Sequence, residues 1–414
     1  MIKFEKFTLS NGLKVIVNHD PSTPIIAMNI LYDIGSKDEN PDKTGFAHLF
    51  EHLMFEGSVN IPNFDSPLEK VGGENNAFTS TDITNYYISV PKPNLETAFW
   101  LESDRMLNLD FSEERLAVQK NVVIEEFKQR YLNKPYSDAW LLLRPLIYKQ
   151  HPYSWATIGK ETSHIDNATL DDVKEFYKKH YNPNNAILTL SGDITTEEAK
   201  ELCIKWFEPI KNSYTFNRSI AKEPTQTEKR NLEVIKDVPH NVMFRAYRMA
   251  DRLHPDYYVY DLITDILSSG ESSRLHQSLV KEQKLFNEID AFITGETDEG
   301  VLIITGHLAK DVKTENAIKG LEEELEKLKT NLVEPHELEK VKNRVESVTT
   351  FGEINNLNRA YLLSYFENLG DANLINTEVE MYQKITLQDI QRVAKAGFIN
   401  TNCSELLYLS NNTK

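Results

Sequence analysis

Hydrophobic and polar positions alternate with a period of two over much of the first thirty residues, which predicts strands. Phe7-Thr8-Leu9 and Leu13-Lys14-Val15-Ile16-Val17 flank a Ser10-Asn11-Gly12 turn and read as a hairpin. Ile25, Ala27, Asn29 and Leu31 make the next alternating run, followed over residues 35–43 by a loop rich in Gly, Asp, Asn and Pro. The period then lengthens, and residues 45–57 read as an oily helix carrying His48, Glu51 and His52. Residues 72–90 give a polar strand, a turn and a partner strand ended by Pro91. Helical spacing returns over 95–107, and a long helix begins at the cap Ser112-Glu113-Glu114. A helix over 170–180, a strand over 186–190 and an amphipathic helix over 195–207 close the first half. Residues 213–228 are polar and aperiodic, with Pro224, as expected of a linker.

The second half repeats this plan. Residues 231–235 and 242–247 read as strands, 257–267 as a helix, and Gly270-Glu271-Ser272-Ser273-Arg274-Leu275 as the opening of another. A strand pair over 288–293 and 300–305 precedes a charged helix over 316–328. Thr169-Leu170-Asp171-Asp172-Val173 returns as Thr386-Leu387-Gln388-Asp389-Ile390 about 217 residues later, each copy followed by a helix and a strand. An offset near half the chain predicts duplication of an α+β unit. The expected domains are residues 1–215 and 231–414, joined by a linker over 216–230, each a mostly antiparallel sheet covered by helices.

Composition narrows the function classes. At 414 residues the chain is long for one core, and two domains of about 200 residues are expected. A formal charge of −17 argues against nucleic acid or an anionic membrane surface as partner, since both need clustered Lys and Arg. It is compatible with a basic peptide, and equally with a solvated surface. Cys203 and Cys403 lie far apart, which rules out a disulfide scaffold or a cysteine zinc site. With no leader-like apolar core at the start and no apolar run of about 18 residues, the default compartment is the cytoplasm, or the periplasm if a leader was removed.

The chemistry concentrates in His48-x-x-Glu51-His52. Residues four apart share one helix face, so both imidazoles can address a single cation, leaving room for a third protein ligand and a water. Glu51 lies over the same spot, where a carboxylate can act as general base. The bland alternative for these five residues is a pair of half-buried helix histidines beside a solvated charge. Downstream, Glu126 falls three residues after Val123 and four after Val122, on the expected inward stripe, while Glu125 points elsewhere. An inward carboxylate needs a partner, either a metal or a Lys or Arg. The small polar residues of 72–90 suit an edge on which an extended peptide adds as a strand, or a plain hairpin with a solvated face. In the second copy the place of the histidine motif is taken by Tyr260-Asp261-Leu262-Ile263-Thr264-Asp265, so any metal chemistry belongs to the first half.

Taken together, His48-Leu49-Phe50-Glu51-His52, the downstream carboxylates, Asn76-Ala77-Phe78-Thr79 with Thr84-Asn85-Tyr86-Tyr87, and the duplication resemble the inverted-zincin peptidases of the pitrilysin, insulysin and mitochondrial processing peptidase family. The likeness is nearest to its short two-domain bacterial members. The resemblance implies half of a clamshell, a zinc endopeptidase acting on unfolded peptides in a closed chamber, zinc on His48, His52 and Glu126 (with Glu125 as the fallback), and Glu51 as base and acid. It also implies peptide pairing along Asn76, Ala77, Phe78 and Thr79. The place of a second family Glu, seven residues before the third ligand, holds Gln119, which can orient a ligand but adds no charge. The family's Arg and, seven residues later, Tyr fall on Val280 and Asn287, which cannot replace them. The implied partner is therefore a related chain supplying that pair, or a second copy of this one. The alternative is a non-catalytic, chamber-forming subunit of a larger complex.

Overall fold

The structure, a computed structural model, describes residues 1–411. Strands β1 (Glu5–Thr8), β2 (Lys14–His19), β3 (Ile25–Tyr32), β4 (Glu74–Thr79), β5 (Thr84–Pro91) and β6 (Ala186–Gly192) form one sheet in the order β1-β2-β6-β3-β5-β4. Strands β7 (Arg230–Lys236), β8 (Val242–Arg248), β9 (Phe286–Ile293), β10 (Val301–Leu308) and β11 (Cys403–Ser410) form a second, in the order β7-β11-β8-β10-β9. Without β1, the first order maps onto the second strand for strand. The β2–β6 and β7–β11 pairs are parallel and the rest antiparallel, so the one irregular pairing recurs at the same place.

The helices that matter below are α1 (Phe46–Leu53), α2 (Glu113–Tyr131), α3 (Ala139–Ile147), α4 (Leu170–His180), α5 (Pro255–Ser268), α6 (Asn356–Asn368) and α7 (Leu387–Gly397). The Thr-Leu-x-Asp echo has a physical basis in two matching helix starts. Thr169 Oγ1 accepts from the Asp172 N–H and Thr386 Oγ1 from the Asp389 N–H, each Asp carboxylate returning to the threonine N–H, before α4 and α7 respectively. The strand after each helix, β6 or β11, occupies the same place in its sheet.

The expected contiguous halves need correction. One compact unit comprises residues 1–128, 155–221 and 350–377, and the other 129–154, 222–349 and 378–414. Each sheet is covered by a helix from the opposite half of the sequence. In the first unit α6 lies on β2, β3 and β6. Its Leu363 and Phe366 pack with Ile16, Ile187 and Ile375, and Ser364 Oγ accepts from Asn29 Nδ2 at 3.0 Å and donates to Thr189 Oγ1 at 2.8 Å. In the second unit α3 buries Ala139, Leu143 and Ile147 against Val242, Val301, Leu406 and Tyr408. Neither helix was expected from the sequence pattern, and periodicity in any case says nothing about which sheet an apolar face will cover. Residues 213–228 lack helix and strand, and one of the chain's five passages between units falls between Ala221 and Lys222. No helix among the described residues is long and apolar enough to cross a membrane.

Candidate metal centre

Helix α1 starts at Gly45, whose φ of +92° lies in the left-handed region. A Cβ there would sit 2.5 Å from the Ile158 carbonyl oxygen, so the position requires glycine and cannot carry a capping side chain of its own. The helix-start N–H groups are met by Glu39 instead. Its Oε2 accepts from the Gly45 N–H at 2.8 Å and its Oε1 from the Ala47 N–H at 2.9 Å. The Trp155 indole also donates to Oε2, at 3.2 Å. Burial pushes the Glu39 carboxyl up to about 8, opposed by the Ala47 and Gly45 N–H groups and the indole.

The far side of α1 is held by packing. Phe46, Leu49, Phe50 and Leu53 are buried, and the Phe50 ring stacks on Phe176 and Tyr181 with centroids 4.9 and 5.2 Å away. Burying a side chain of this size contributes roughly 1.5–3 kcal/mol. The remaining face carries buried His48 and half-buried His52 side by side, one turn apart, their ring centroids 4.9 Å from each other.

Helix α2 supplies the third group. Leu116, Val123 and Phe127 are its buried residues, and Glu126 sits beside that stripe. The expected stripe needs one revision, because Val122 is exposed and the inward face runs through Val123 and Phe127, one turn apart. Glu126 Oε2 lies 3.5 Å from His48 Nε2 and 3.4 Å from His52 Nε2. A tetrahedral shell with bonds of about 2.0–2.1 Å separates neighbouring donor atoms by about 3.3–3.4 Å. N–H···O hydrogen bonds close to about 2.7–3.2 Å. The Glu126 carboxylate thus lies from both imidazoles at about the donor spacing of such a shell, and the three groups could hold one divalent cation. Among the described residues these three form the one cluster of His, Cys, Asp and Glu close enough to hold a metal, with ligand atoms within 4.8 Å of one another. The His48 side chain is 9% exposed against 25% and 27% for His52 and Glu126, so the cluster opens toward solvent on the latter side. Glu125, the fallback, is mostly exposed and pairs with Lys128 at 2.7 Å.

Glu51 Oε2 accepts a 2.6 Å hydrogen bond from Thr79 Oγ1. Thr79 ends β4, which pairs with β5 and has no other strand beside it among the described residues. Along β4, Asn76 is exposed and Ala77, Phe78 and Thr79 are half-buried. The Asn76 side-chain oxygen accepts from the Ala77 N–H at 2.8 Å, and the Phe78 ring meets Tyr361 edge-on at 5.4 Å. Gln119 corrects an expectation, since its amide donates to the Glu56 carboxylate rather than to any of the three clustered groups. Two turns before Glu126 on α2, it is held by the segment that follows α1.

In the second unit α5 occupies the place of α1 in the element order, between β8 and β9, and carries Asp261 and Asp265, four residues apart, but no histidine. Asp261 accepts from the Tyr382 hydroxyl at 2.6 Å and Asp265 pairs with Arg344. Val280 is half-buried against the core of this unit, and Asn287 Nδ2 donates to the Leu308 carbonyl at 3.3 Å.

Two family models match the chain, "Insulinase (Peptidase family M16)" over residues 14–143 and "Peptidase M16 inactive domain" over 167–345. The zinc protease PqqE of Helicobacter pylori is 31% identical over 410 residues, 96% of this chain and 91% of the relative. The crystal structure of a protease from Helicobacter pylori superposes with a TM-score of 0.92 at 30% identity, covering 99% of this chain and 100% of that one. A probable mitochondrial-processing peptidase subunit beta of Schizosaccharomyces pombe is 26% identical, over 74% of this chain and 70% of the relative.

Proposed function

The chain belongs to the insulinase family of peptidases, family M16, and from that premise we propose that it is the catalytic chain of a zinc-dependent endopeptidase acting on unfolded peptides. His48, His52 and Glu126 would hold the zinc in this reading, and the approach of the Glu126 carboxylate to within 3.4–3.5 Å of both imidazoles is the observation that carries it. Zinc bound there would supply Lewis-acid polarisation of a water and of the scissile carbonyl. Glu51 takes the proton from the attacking water and delivers it to the leaving amine. The peptide lies along the edge of β4, pairing with the backbone of Asn76, Ala77, Phe78 and Thr79. The Thr79 hydroxyl fixes the direction of the Glu51 carboxylate, so one strand both seats the peptide and aims the base.

The test compares zinc content and cleavage of a quenched peptide library with and without chelator. Glu126→Ala is expected to lower zinc affinity by at least about 10²-fold, beyond the 10–100-fold usual for residues that only orient ligands. Unchanged metal in that variant would remove Glu126 from the site. Thr79→Val keeps shape and loses the donor, and its turnover is expected to fall about tenfold at unchanged zinc, the scale of one hydrogen bond to a charged group. Unchanged turnover would reduce Thr79 to a backbone role.

The second unit is read as lacking the polar pair that would bind the scissile carbonyl, with Val280 and Asn287 in those places. A related chain supplies that pair; a second copy of this chain, the other choice of partner, would carry the same Val280 and Asn287 and would not supply it. The matched relative named as a subunit supports an assembly of this kind. A second reading, a non-catalytic subunit, draws on the inactive-domain match over 167–345. The complete cluster in the first unit favours the catalytic one.

A further inference from the structure

We propose that Glu39 is a positioning residue for the metal centre, setting the start and rotation of α1 so that His48 and His52 face one point. Three observations carry this. Gly45 is barred from capping the helix by its φ of +92° and by the Ile158 carbonyl, so the cap has to come from elsewhere in the chain. Glu39 is buried, with both carboxylate oxygens turned to donors: Gly45 N–H and the Trp155 indole on Oε2, and Ala47 N–H on Oε1. Helix α1 is only eight residues long, and His48 follows directly on the Ala47 amide that Glu39 holds. In so short a helix an unmet first turn frays into the ligand positions themselves. Trp155 holds the Glu39 carboxyl group from behind, its indole also donating to the Ser36 carbonyl at 3.0 Å, so the group is placed before the helix begins.

Glutamine at position 39 preserves volume but turns an amide N–H₂ toward N–H donors, whichever way it is flipped. The inference rests on the zinc reading for its consequence, not for its geometry, and the experiment has an arm for each. Amide hydrogen exchange over residues 45–53 is measured on the metal-free full chain, and zinc affinity by competition with a chromophoric chelator, for wild type, Glu39→Gln, Glu39→Asp and Trp155→Phe. Exchange in Glu39→Gln is expected to rise about tenfold over this segment, the scale of a lost cap. Its zinc affinity is expected to fall 10- to 100-fold, the range for residues that orient ligands. Glu39→Asp, which keeps the two accepting oxygens on a shorter arm, is expected to fall between. Trp155→Phe leaves both helix contacts but loses the anchor, and is expected to change less than either Glu39 variant in both arms. Wild-type exchange in Glu39→Gln, or Trp155→Phe matching it in both arms, overturns the proposal by reducing Glu39 to packing. If Glu39→Gln does not fold, the contrast of Glu39→Asp with Trp155→Phe decides by the same criterion. Wild-type chain that binds no zinc while exchange responds as expected would sink the zinc reading and leave the cap standing.

Discussion

Glutamine at position 51 is expected to cut peptide hydrolysis by about 10²-fold or more while the chain keeps its zinc. Gln has the length of Glu, and its carbonyl oxygen can still accept from the Thr79 hydroxyl, which in the native chain lies 2.6 Å from the carboxylate. It cannot take up a proton near neutral pH, so only the acid–base contribution, about 10²–10⁴ in rate, is removed. The loss should appear in kcat with KM little changed, because a group acting on the proton in flight contributes to the transition state and not to peptide binding. Metal content and steady-state kinetics on one preparation check this. Near-normal cleavage would take Glu51 out of the mechanism, and lost zinc would mean that the substitution had disturbed the histidines on either side.

The sequence pattern made the centre legible because two of its groups obey a helix period. His48 and His52 are one turn apart on a segment whose other residues are nearly all apolar, and spacing alone puts them on one face. Glu126 was legible for a partly mistaken reason. The stripe was read through Val122 and Val123, but Val122 is exposed, and the position holds because Glu126 neighbours the true stripe of Val123 and Phe127. Glu39 carries no periodic signal, being an acidic residue in a loop marked only by its Gly, Asp, Asn and Pro content. A clue was nonetheless present: a helix opening on glycine, with no Ser, Thr, Asp or Asn at the cap, leaves donors that some other side chain has to meet. The duplication could be read from Thr169 and Thr386 because a capping box is a local device with a fixed spacing. The exchange of α3 and α6 could not, since the choice of sheet is made by packing between segments hundreds of residues apart.

The isolated chain should cleave slowly, and a related chain carrying an Arg and Tyr in the corresponding places should raise its rate by about 10²–10³. That is the usual effect of one donor aimed at the developing oxyanion. Val280 has no donor, and the Asn287 amide is directed at the Leu308 carbonyl, so nothing at these two places in the second unit supplies such a group. Size exclusion of each chain alone and of the mixture, with rates on the same quenched peptides, checks the expectation. If the isolated chain is as fast as any mixture, the pair is not needed, whether the chain is monomeric or dimeric. Combining the experiments separates catalyst from scaffold. Placed in this chain within an active mixture, Glu51→Gln should abolish the gain, because the proton transfer has no other site. A mixture that keeps its rate with that substitution has its catalytic carboxylate in the partner, and this chain would then contribute shape and contacts but no chemistry.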